Sequence, residues 1–185
     1  MTNTGRYIRA VLWDMDGTLM DSQPLWDEFF RRCCQERGGT VTPEQVAGIA
    51  GASIARTCEL IAETGATASP EDPATAEVFA KISAQVEAAV RADPPILPGA
   101  RNITATLNEV GLAQVIVTQS PRPIVEAVAH ALGDVFVELV TGDDGLPGKP
   151  TPAPYAAAIE LLGLSPEECV VVEDSATGAA SARSN

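Results

Sequence analysis

Four short apolar runs, each followed at once by polar residues, constrain the fold of this chain more than any other feature of its sequence. The runs are Ile8–Trp13, Ala113–Val117, Val135–Val140 and Cys169–Val172. Short, mostly apolar runs of this length that end in polar turns are typical of strands buried on both faces of a parallel sheet. We therefore predict that all four belong to one parallel sheet.

Helical patterns with recognisable starts separate the later runs. Ser120-Pro121 and Thr151-Pro152 each place a capping residue before a proline of the first turn, and Gly163 is positioned to end the second helix. Strands that alternate with helices favour an α/β fold with right-handed crossovers. We expect a doubly wound, Rossmann-like sheet.

Residues 21–95 have a different pattern, with helix-like stretches and no convincing strand. The stretches are Leu25–Arg37, Pro43–Gly48, Ile54–Thr64 and Ala74–Ala92. Proline and glycine residues between positions 94 and 99 indicate a return linker. We predict a core domain formed by residues 1–20 and 96–185, with an inserted α-helical domain at 21–95.

The charge of the chain restricts its partners. Twelve basic against 25 acidic residues give a formal net charge of −13, which argues against nucleic acid and against an anionic membrane surface. A small phosphorylated metabolite is still allowed, because local groups can outweigh the global field. The apolar runs are too short for a membrane span, and neither a signal peptide nor a cysteine framework is evident, so we expect a cytoplasmic protein.

Every predicted strand is followed by residues that can take part in chemistry. In chain order these are Asp14, Asp16, Gly17, Thr118, Gln119, Lys149, Glu173 and Asp174. The carboxyl ends of parallel strands meet at one crevice, where such folds bind ligands. We expect these side chains to form one site.

Clustered carboxylates raise one another's pKa unless a cation neutralises them. Mg²⁺ fits best, because it uses few carboxylates beside a phosphate. Asp14 can then serve as a nucleophile and Asp16 as a proton donor. Lys149 would offset charge on a transferring phosphoryl group, the Thr118 hydroxyl would bind one of its oxygens, and Gly17 would let the backbone approach it.

Four segments in this order resemble the four motifs of the haloacid dehalogenase superfamily of phosphotransferases, and residues 21–95 are similar to the helical cap of that family. The segments are Asp14–Thr18, Val115–Thr118, Lys149–Pro152 and Val170–Gly178. The resemblance implies a phosphatase in which the nucleophile forms an aspartyl-phosphate.

The resemblance also assigns a role to each position. Asp14 would be the nucleophile, and Asp16 the general acid and base that also offers its backbone carbonyl to Mg²⁺. Asp174 would complete the metal site, with Glu173 assisting. We predict that the substrate phosphate is bound by Gly17, Thr118, Gln119 and Lys149.

The segment Asp21–Trp26 resembles the sugar-phosphate phosphatase branch, so we predict hydrolysis of a sugar or polyol phosphate. The related β-phosphoglucomutases carry a histidine where Trp26 stands and a cap arginine where Ile54 stands, although Arg56 could substitute for that arginine. A phosphomutase and a non-catalytic phosphate-binding module remain the alternatives.

Members of this family continue beyond the helix that begins near Ala176 with a further strand. The chain ends at Asn185, so we expect the C-terminal edge strand to be missing and the chain to be truncated. We expect a monomer or a weak homodimer.

Overall fold

A computed structural model describes residues 7–185, and the predicted core domain therefore includes residues 1–6 that lie outside the described part. The strands are β1 (Ala10–Trp13), β2 (Ala113–Val117), β3 (Glu138–Val140) and β4 (Cys169–Val172). They form one parallel sheet in the order β3-β2-β1-β4. All four predicted strands are present, although β1 and β3 are shorter than their apolar runs.

Eight α-helices of the described residues accompany the sheet. In chain order, α1 to α8 are Gln23–Glu36, Pro43–Ala47, Ile54–Glu63, Pro73–Ala92, Ala100–Glu109, Arg122–Ala131, Ala153–Leu162 and Ala176–Arg183. Helices α1 to α4 are the four predicted between the first two strands, within one or two residues at each end. Helix α5 was not predicted, and only Ala100 and Thr104 of its ten residues are buried.

Alternate residues of the central strands pack on opposite faces of the sheet. Leu12 and Val115 contact the cluster that includes α7, whereas Val11, Trp13 and Ile116 belong to a second, larger cluster that includes α6 and the buried faces of α1, α3 and α4. Helices thus cover both faces, which confirms the predicted doubly wound α/β fold. Burial is complete for β1 but partial for β4, which lies at one edge of the sheet.

The chain leaves the sheet for α1 and returns from α4 through two segments that lie side by side. The Asp21 N–H donates to the Pro95 carbonyl at 2.9 Å, and the Leu97 N–H donates to the Leu19 carbonyl at 2.9 Å. Met20 and Ile96 form an antiparallel bridge between them. The chain therefore enters and leaves the region of α1 to α4 through one pair of adjacent backbone segments.

Of three expectations about helix ends, one is confirmed and two are wrong. Thr151 does not cap α7, because Pro152 is its N-cap residue. Gly163 ends α7 in the left-handed region, as predicted (φ 62°).

Ser120 does not cap α6, because Pro121 is the N-cap residue. The first helical N–H, that of Arg122, donates instead to the Asp143 carboxylate at 2.6 Å. The Ser120 hydroxyl donates to Asp16. Among residues 7–185, no helix combines the length and the apolar character needed to cross a bilayer.

Candidate active site

The hydrogen bonds of the sheet bring Asp14 and Thr118 to the same edge. The Asp14 N–H donates to the Val172 carbonyl at 3.0 Å, and the Thr118 N–H donates to the Val140 carbonyl at 2.9 Å. Both residues therefore extend the pairing one step beyond their strands. Because β1 and β2 are parallel neighbours, their following side chains enter the same space.

Lys149 joins the ends of three strands through its ammonium group. Its Nζ donates to Asp14 Oδ1 at 2.7 Å, to the Val117 carbonyl at 2.9 Å and to Glu173 Oε1 at 2.5 Å. The side chain is 5% exposed. All three N–H groups of the ammonium have acceptors, so its position is determined by the residues that end β1, β2 and β4.

Asp14 carries a carboxylate that the fold does not satisfy completely. Burial raises its pKa to about 7, an effect that the Lys149 charge opposes and the Glu173 charge reinforces. Its Oδ2 is buried without a hydrogen-bond partner. A buried carboxylate oxygen left in this way costs free energy unless a ligand satisfies it.

Asp14, Glu173 and Asp174 together fit a hard divalent cation. Each offers a carboxylate oxygen, and these oxygens lie within 4.8 Å of one another. Burial also raises the pKa of Asp174, and oxygen ligands of this kind suit Mg²⁺. Asp16, which was also predicted to hold the metal, contributes no side-chain oxygen to this cluster.

The Asp16 carboxyl is bound instead by hydroxyl groups. Oδ2 accepts from Thr118 at 3.1 Å and from Ser120 at 2.7 Å, and Oδ1 accepts from Ser22. Two of these hydroxyls come from the segment after β2, and the third comes from the N-cap residue of α1. The carboxyl is therefore fixed in orientation while it lines the cleft described below.

Glycine is required at two positions beside the carboxylates. A Cβ at Gly17, where φ is +91°, would overlap the Asp174 carboxylate, and a Cβ at Gly178 in the first turn of α8 would overlap that of Glu173. Only glycine permits such close approach at these places. The close packing of Gly17 against Asp174 is consistent with the prediction that glycine at this position lets the backbone approach a phosphate.

The carboxylates border a cleft of about 360 Å³, within the range of small-molecule sites. One side, which we call the strand-end wall, consists of Asp16, Gly17, Thr118, Lys149 and Asp174. The opposite side is lined by residues between positions 21 and 79, and we call its members Trp26, Ile49, Ile54, Thr57 and Phe79 the helical wall.

Gln119 lines this cleft but bonds across it. Its Nε2 donates to the Gly51 carbonyl at 2.6 Å, which links the end of β2 to the segment before α3. Its Oε1 is buried without a partner. The predicted role of Gln119 in binding phosphate stays a prediction, and the structure adds a contact between the two walls that its sequence context did not indicate.

Several residues of the site were missed from the sequence. The Tyr155 hydroxyl donates to Glu173 Oε1 at 2.6 Å, and Ser175 donates to Oε2 at 3.1 Å. Burial and the nearby carboxylates raise the pKa of Tyr155, which keeps the phenol protonated as a donor. The missed hydroxyls of Ser22 and Ser120 bind Asp16. No spacing rule points to these contacts, because each depends on how a helix packs against the strand ends.

Comparison with known proteins agrees with this geometry. The family model for haloacid dehalogenase-like hydrolases matches residues 8–185. Hexitol phosphatase A of Escherichia coli (strain K12) is 33% identical over 171 residues, which cover 92% of this chain and 76% of the relative. Hexitol phosphatase B of the same strain is 30% identical over 180 residues, with coverages of 95% and 79%.

Solved structures show the same fold. CbbY from Rhodobacter sphaeroides, crystallised with phosphate, superposes with a TM-score of 0.80 at 24% identity, over 95% of this chain and 82% of that one. The family match and the phosphatase relatives show that the protein is an enzyme, a hydrolase of phosphoric monoesters. The chain therefore belongs to the haloacid dehalogenase-like hydrolases, the family that the motifs at its strand ends resemble.

Proposed function

We propose that this phosphatase is Mg²⁺-dependent and hydrolyses a small sugar or polyol phosphate through an aspartyl-phosphate at Asp14. The observation that carries the proposal is the arrangement at Asp14. One carboxylate oxygen is held by Lys149, the other is buried without a partner, and the carboxylate offers an oxygen within 4.8 Å of oxygens of Glu173 and Asp174. The names of the hexitol phosphatases support a polyol phosphate as substrate.

The metal would be held by Asp14, Glu173 and Asp174, together with the backbone carbonyl of Asp16. Bound Mg²⁺ supplies positive charge that neutralises these carboxylates and the phosphoryl oxygens. Lys149 adds the one ammonium of the strand-end wall. The Thr118 hydroxyl and the backbone at Gly17 would bind phosphoryl oxygens, and Gln119 would border them.

The reaction has two steps. An Asp14 oxygen bonds to phosphorus as the bond between phosphorus and the alcohol oxygen breaks, and Asp16 gives its proton to the departing alcohol. Water then attacks phosphorus, Asp16 takes a proton from that water, and the acyl-phosphate bond breaks. Inorganic phosphate leaves and the Asp14 carboxylate is restored.

We also propose that residues 1–20 and 96–185 form the catalytic domain and that residues 21–95 form a cap. The paired backbone segments at Met20 and Ile96 support this boundary. The proposed setting is cytoplasmic, with a monomer or weak homodimer whose partner is a small phosphorylated metabolite and not nucleic acid or a membrane. The acidic net charge of −13 supports the last part.

The test is release of inorganic phosphate from a panel of phosphorylated metabolites, measured with Mg²⁺ and again with excess chelator. We expect release that chelator and Asp14→Asn both abolish. Asp134→Asn is the matched control, because Asp134 is exposed and its φ of 53° is one that asparagine tolerates. Activity retained by Asp14→Asn would contradict the assigned nucleophile.

The same panel separates the two alternatives. A phosphomutase would interconvert isomeric phosphates without net phosphate release and would need a bisphosphate. A binding module would be stabilised by phosphorylated ligands but would release no phosphate from any of them. Either result would refute the proposed hydrolysis.

A further inference from the structure

The charges around the cleft are distributed unevenly. Among the described residues that line it, Lys149 is the only cation, whereas Asp16, Asp21 and Asp174 are acidic. The proposed metal would sit with Lys149 on the strand-end wall. Positive charge is therefore concentrated where one phosphoryl group would bind. The described residues that line the rest of the cleft carry no positive charge.

Lys149 cannot serve a second anion at a distance. Its three N–H groups bond to Asp14, Glu173 and the Val117 carbonyl, and its side chain is 5% exposed. Movement toward the helical wall would break these contacts and leave two buried carboxylates unpaired. Such a loss is costly in a low-dielectric site.

The arginines nearest to the cleft in sequence are bound elsewhere. Arg56, two residues after Ile54, forms ion pairs with Glu59 at 2.7 Å and Glu63 at 2.8 Å, and it does not line the cleft. Exposed pairs of this kind are weak. Their geometry nevertheless shows that the guanidinium is directed along α3 and not across to the strand-end wall.

Arg122, which follows Gln119 by three residues, is also directed away from the cleft. Its guanidinium pairs with Asp144 at 2.7 Å and donates to the Leu139 carbonyl. It therefore offers no countercharge to a ligand between the walls. Arg56, which the sequence analysis considered as a possible anion-binding residue, and Arg122 both bond to protein acceptors outside the cleft.

The helical wall also offers no cation and no free hydroxyl group to a second anion. Trp26, Ile49, Ile54 and Phe79 are apolar, and the hydroxyl of the remaining member, Thr57, donates to the Ser53 carbonyl. The Ser53 side chain in turn accepts from the Arg56 N–H at the start of α3. A phosphate or carboxylate placed here would lose water without gaining a cation or a free hydroxyl.

We propose that the enzyme selects phosphomonoesters whose remaining part is uncharged, and that it discriminates against bisphosphates and phosphorylated carboxylic acids. This inference rests on the proposed phosphatase function and narrows its substrate class. The discrimination comes from a missing countercharge on the helical wall, in addition to the acidic Asp21 beside it. Uncharged alcohol and polyol chains can contact that wall without such a cost.

The experiment compares pairs of substrates that differ in one anionic group. Suitable pairs are glucitol 6-phosphate with 6-phosphogluconate, fructose 6-phosphate with fructose 1,6-bisphosphate, and 2-hydroxyethyl phosphate with 2-phosphoglycolate. We expect kcat/KM for phosphate release to be lower by about 30-fold, or ~2 kcal/mol, for the anionic member of each pair. Anionic members turned over within threefold of their partners would overturn the inference.

A substitution on the helical wall tests the cause. Ile54→Lys adds a cation inside the cleft, and we expect it to reduce the discrimination within each pair by about tenfold. Ala55→Lys is the matched control, because Ala55 is an exposed neighbour outside the cleft lining and carries the same charge change. An equal reduction in both variants would show that the global charge, and not the wall, controls selectivity.

The outcomes also separate this inference from the function on which it rests. Equal hydrolysis of both members of every pair overturns the selectivity alone, because phosphatase activity is then observed. If neither member of any pair releases phosphate, the proposed sugar or polyol phosphatase function fails and the selectivity fails with it. Preferential hydrolysis of the uncharged members supports both.

Discussion

The strand-end wall and the helical wall face the same cleft, but they are built in different ways. In the first, Lys149 is bonded to the carboxylates of Asp14 and Glu173, which border the wall, in one buried network. Side chains of the second are mostly apolar and contact one another through packing. The difference suggests that chemistry belongs to the wall fixed by sheet topology, and substrate choice to the wall formed by helices.

After loss of the nucleophile, the largest expected effect on activity comes from removing the ammonium of the strand-end wall. Lys149→Met should lower kcat/KM for phosphate release by about 10³-fold, because a charged donor to the transition state is lost and two buried carboxylates lose their partner. The chain contains one other lysine, Lys81, which forms an exposed ion pair with Glu36. Lys81→Met is therefore the matched control and should retain activity. A loss below tenfold in Lys149→Met would place the phosphate elsewhere.

A second prediction concerns the free energy of unfolding, which the buried Asp14 carboxylate lowers when it is ionised. Burial raises the pKa of Asp14 from its ordinary value of 3.8 to about 7. The folded state therefore holds this proton more tightly than the unfolded state, so the stabilisation is present below about pH 4 and is lost as the pH rises through 7. With chelator present, Asp14→Asn should be more stable than the wild type at pH 8, and that advantage should be smaller at pH 5 and absent only below about pH 4.

We expect the gain at pH 8 to be about 2 kcal/mol, which corresponds to a rise in melting temperature of about 4–8 °C for a chain of this size. Thermal unfolding at the two pH values measures it. Asp93→Asn, at an exposed aspartate, is the control and should show no such dependence on pH. A gain of equal size at pH 5 and pH 8 would mean that ionisation of Asp14 is not its cause.

The contrast between the walls also explains what could be predicted from the sequence. The four strands and the meeting of Asp14, Lys149, Glu173 and Asp174 follow from apolar runs and from polar residues at their ends. The sheet imposes that convergence, so local pattern is enough. In β3, only Glu138–Val140 of the predicted run is paired, because the register with β2 begins at Val115.

Contacts that depend on helix packing could not be predicted in the same way. The hydroxyl of Ser120 was expected to cap α6, but it binds Asp16, because Pro121 already begins the turn. Arg56 was left as a possible anion anchor, but it pairs along α3 with residues three and seven positions away. Sequence spacing does not determine such rotations, which follow from the packing of whole helices.

A substitution at Tyr155 tests whether an uncharged hydrogen-bond donor contributes to the network of Lys149, Asp14 and Glu173. Tyr155→Phe removes the hydroxyl that donates to Glu173 Oε1 and keeps the ring that packs near Lys149. We expect kcat/KM to fall about tenfold, with a higher Mg²⁺ concentration needed for half-maximal activity, because partners of this kind orient metal-binding carboxylates.

The chain offers a matched control for this change. Its only other tyrosine, Tyr7, is 80% exposed, and Tyr7→Phe should leave both the rate and the Mg²⁺ requirement unaltered. A fall in kcat/KM with an unchanged Mg²⁺ requirement would show that Tyr155 acts on Lys149 or on packing, and not through the metal-binding carboxylate.

The smallest expected effect lies at the contact that joins the two walls. Gln119→Ala removes the hydrogen bond from Nε2 to the Gly51 carbonyl, which is worth about threefold in an equilibrium. If that bond holds the helical wall against the strand ends, KM should rise about threefold while kcat changes little. The exposed Gln35→Ala is the control and should change neither constant. A fall in kcat of tenfold or more with KM unchanged would instead indicate that the Gln119 side chain contacts the reacting phosphoryl group, as its position after Thr118 predicts. Gln119 would then act in catalysis, and the division of roles between the two walls would not hold at this residue.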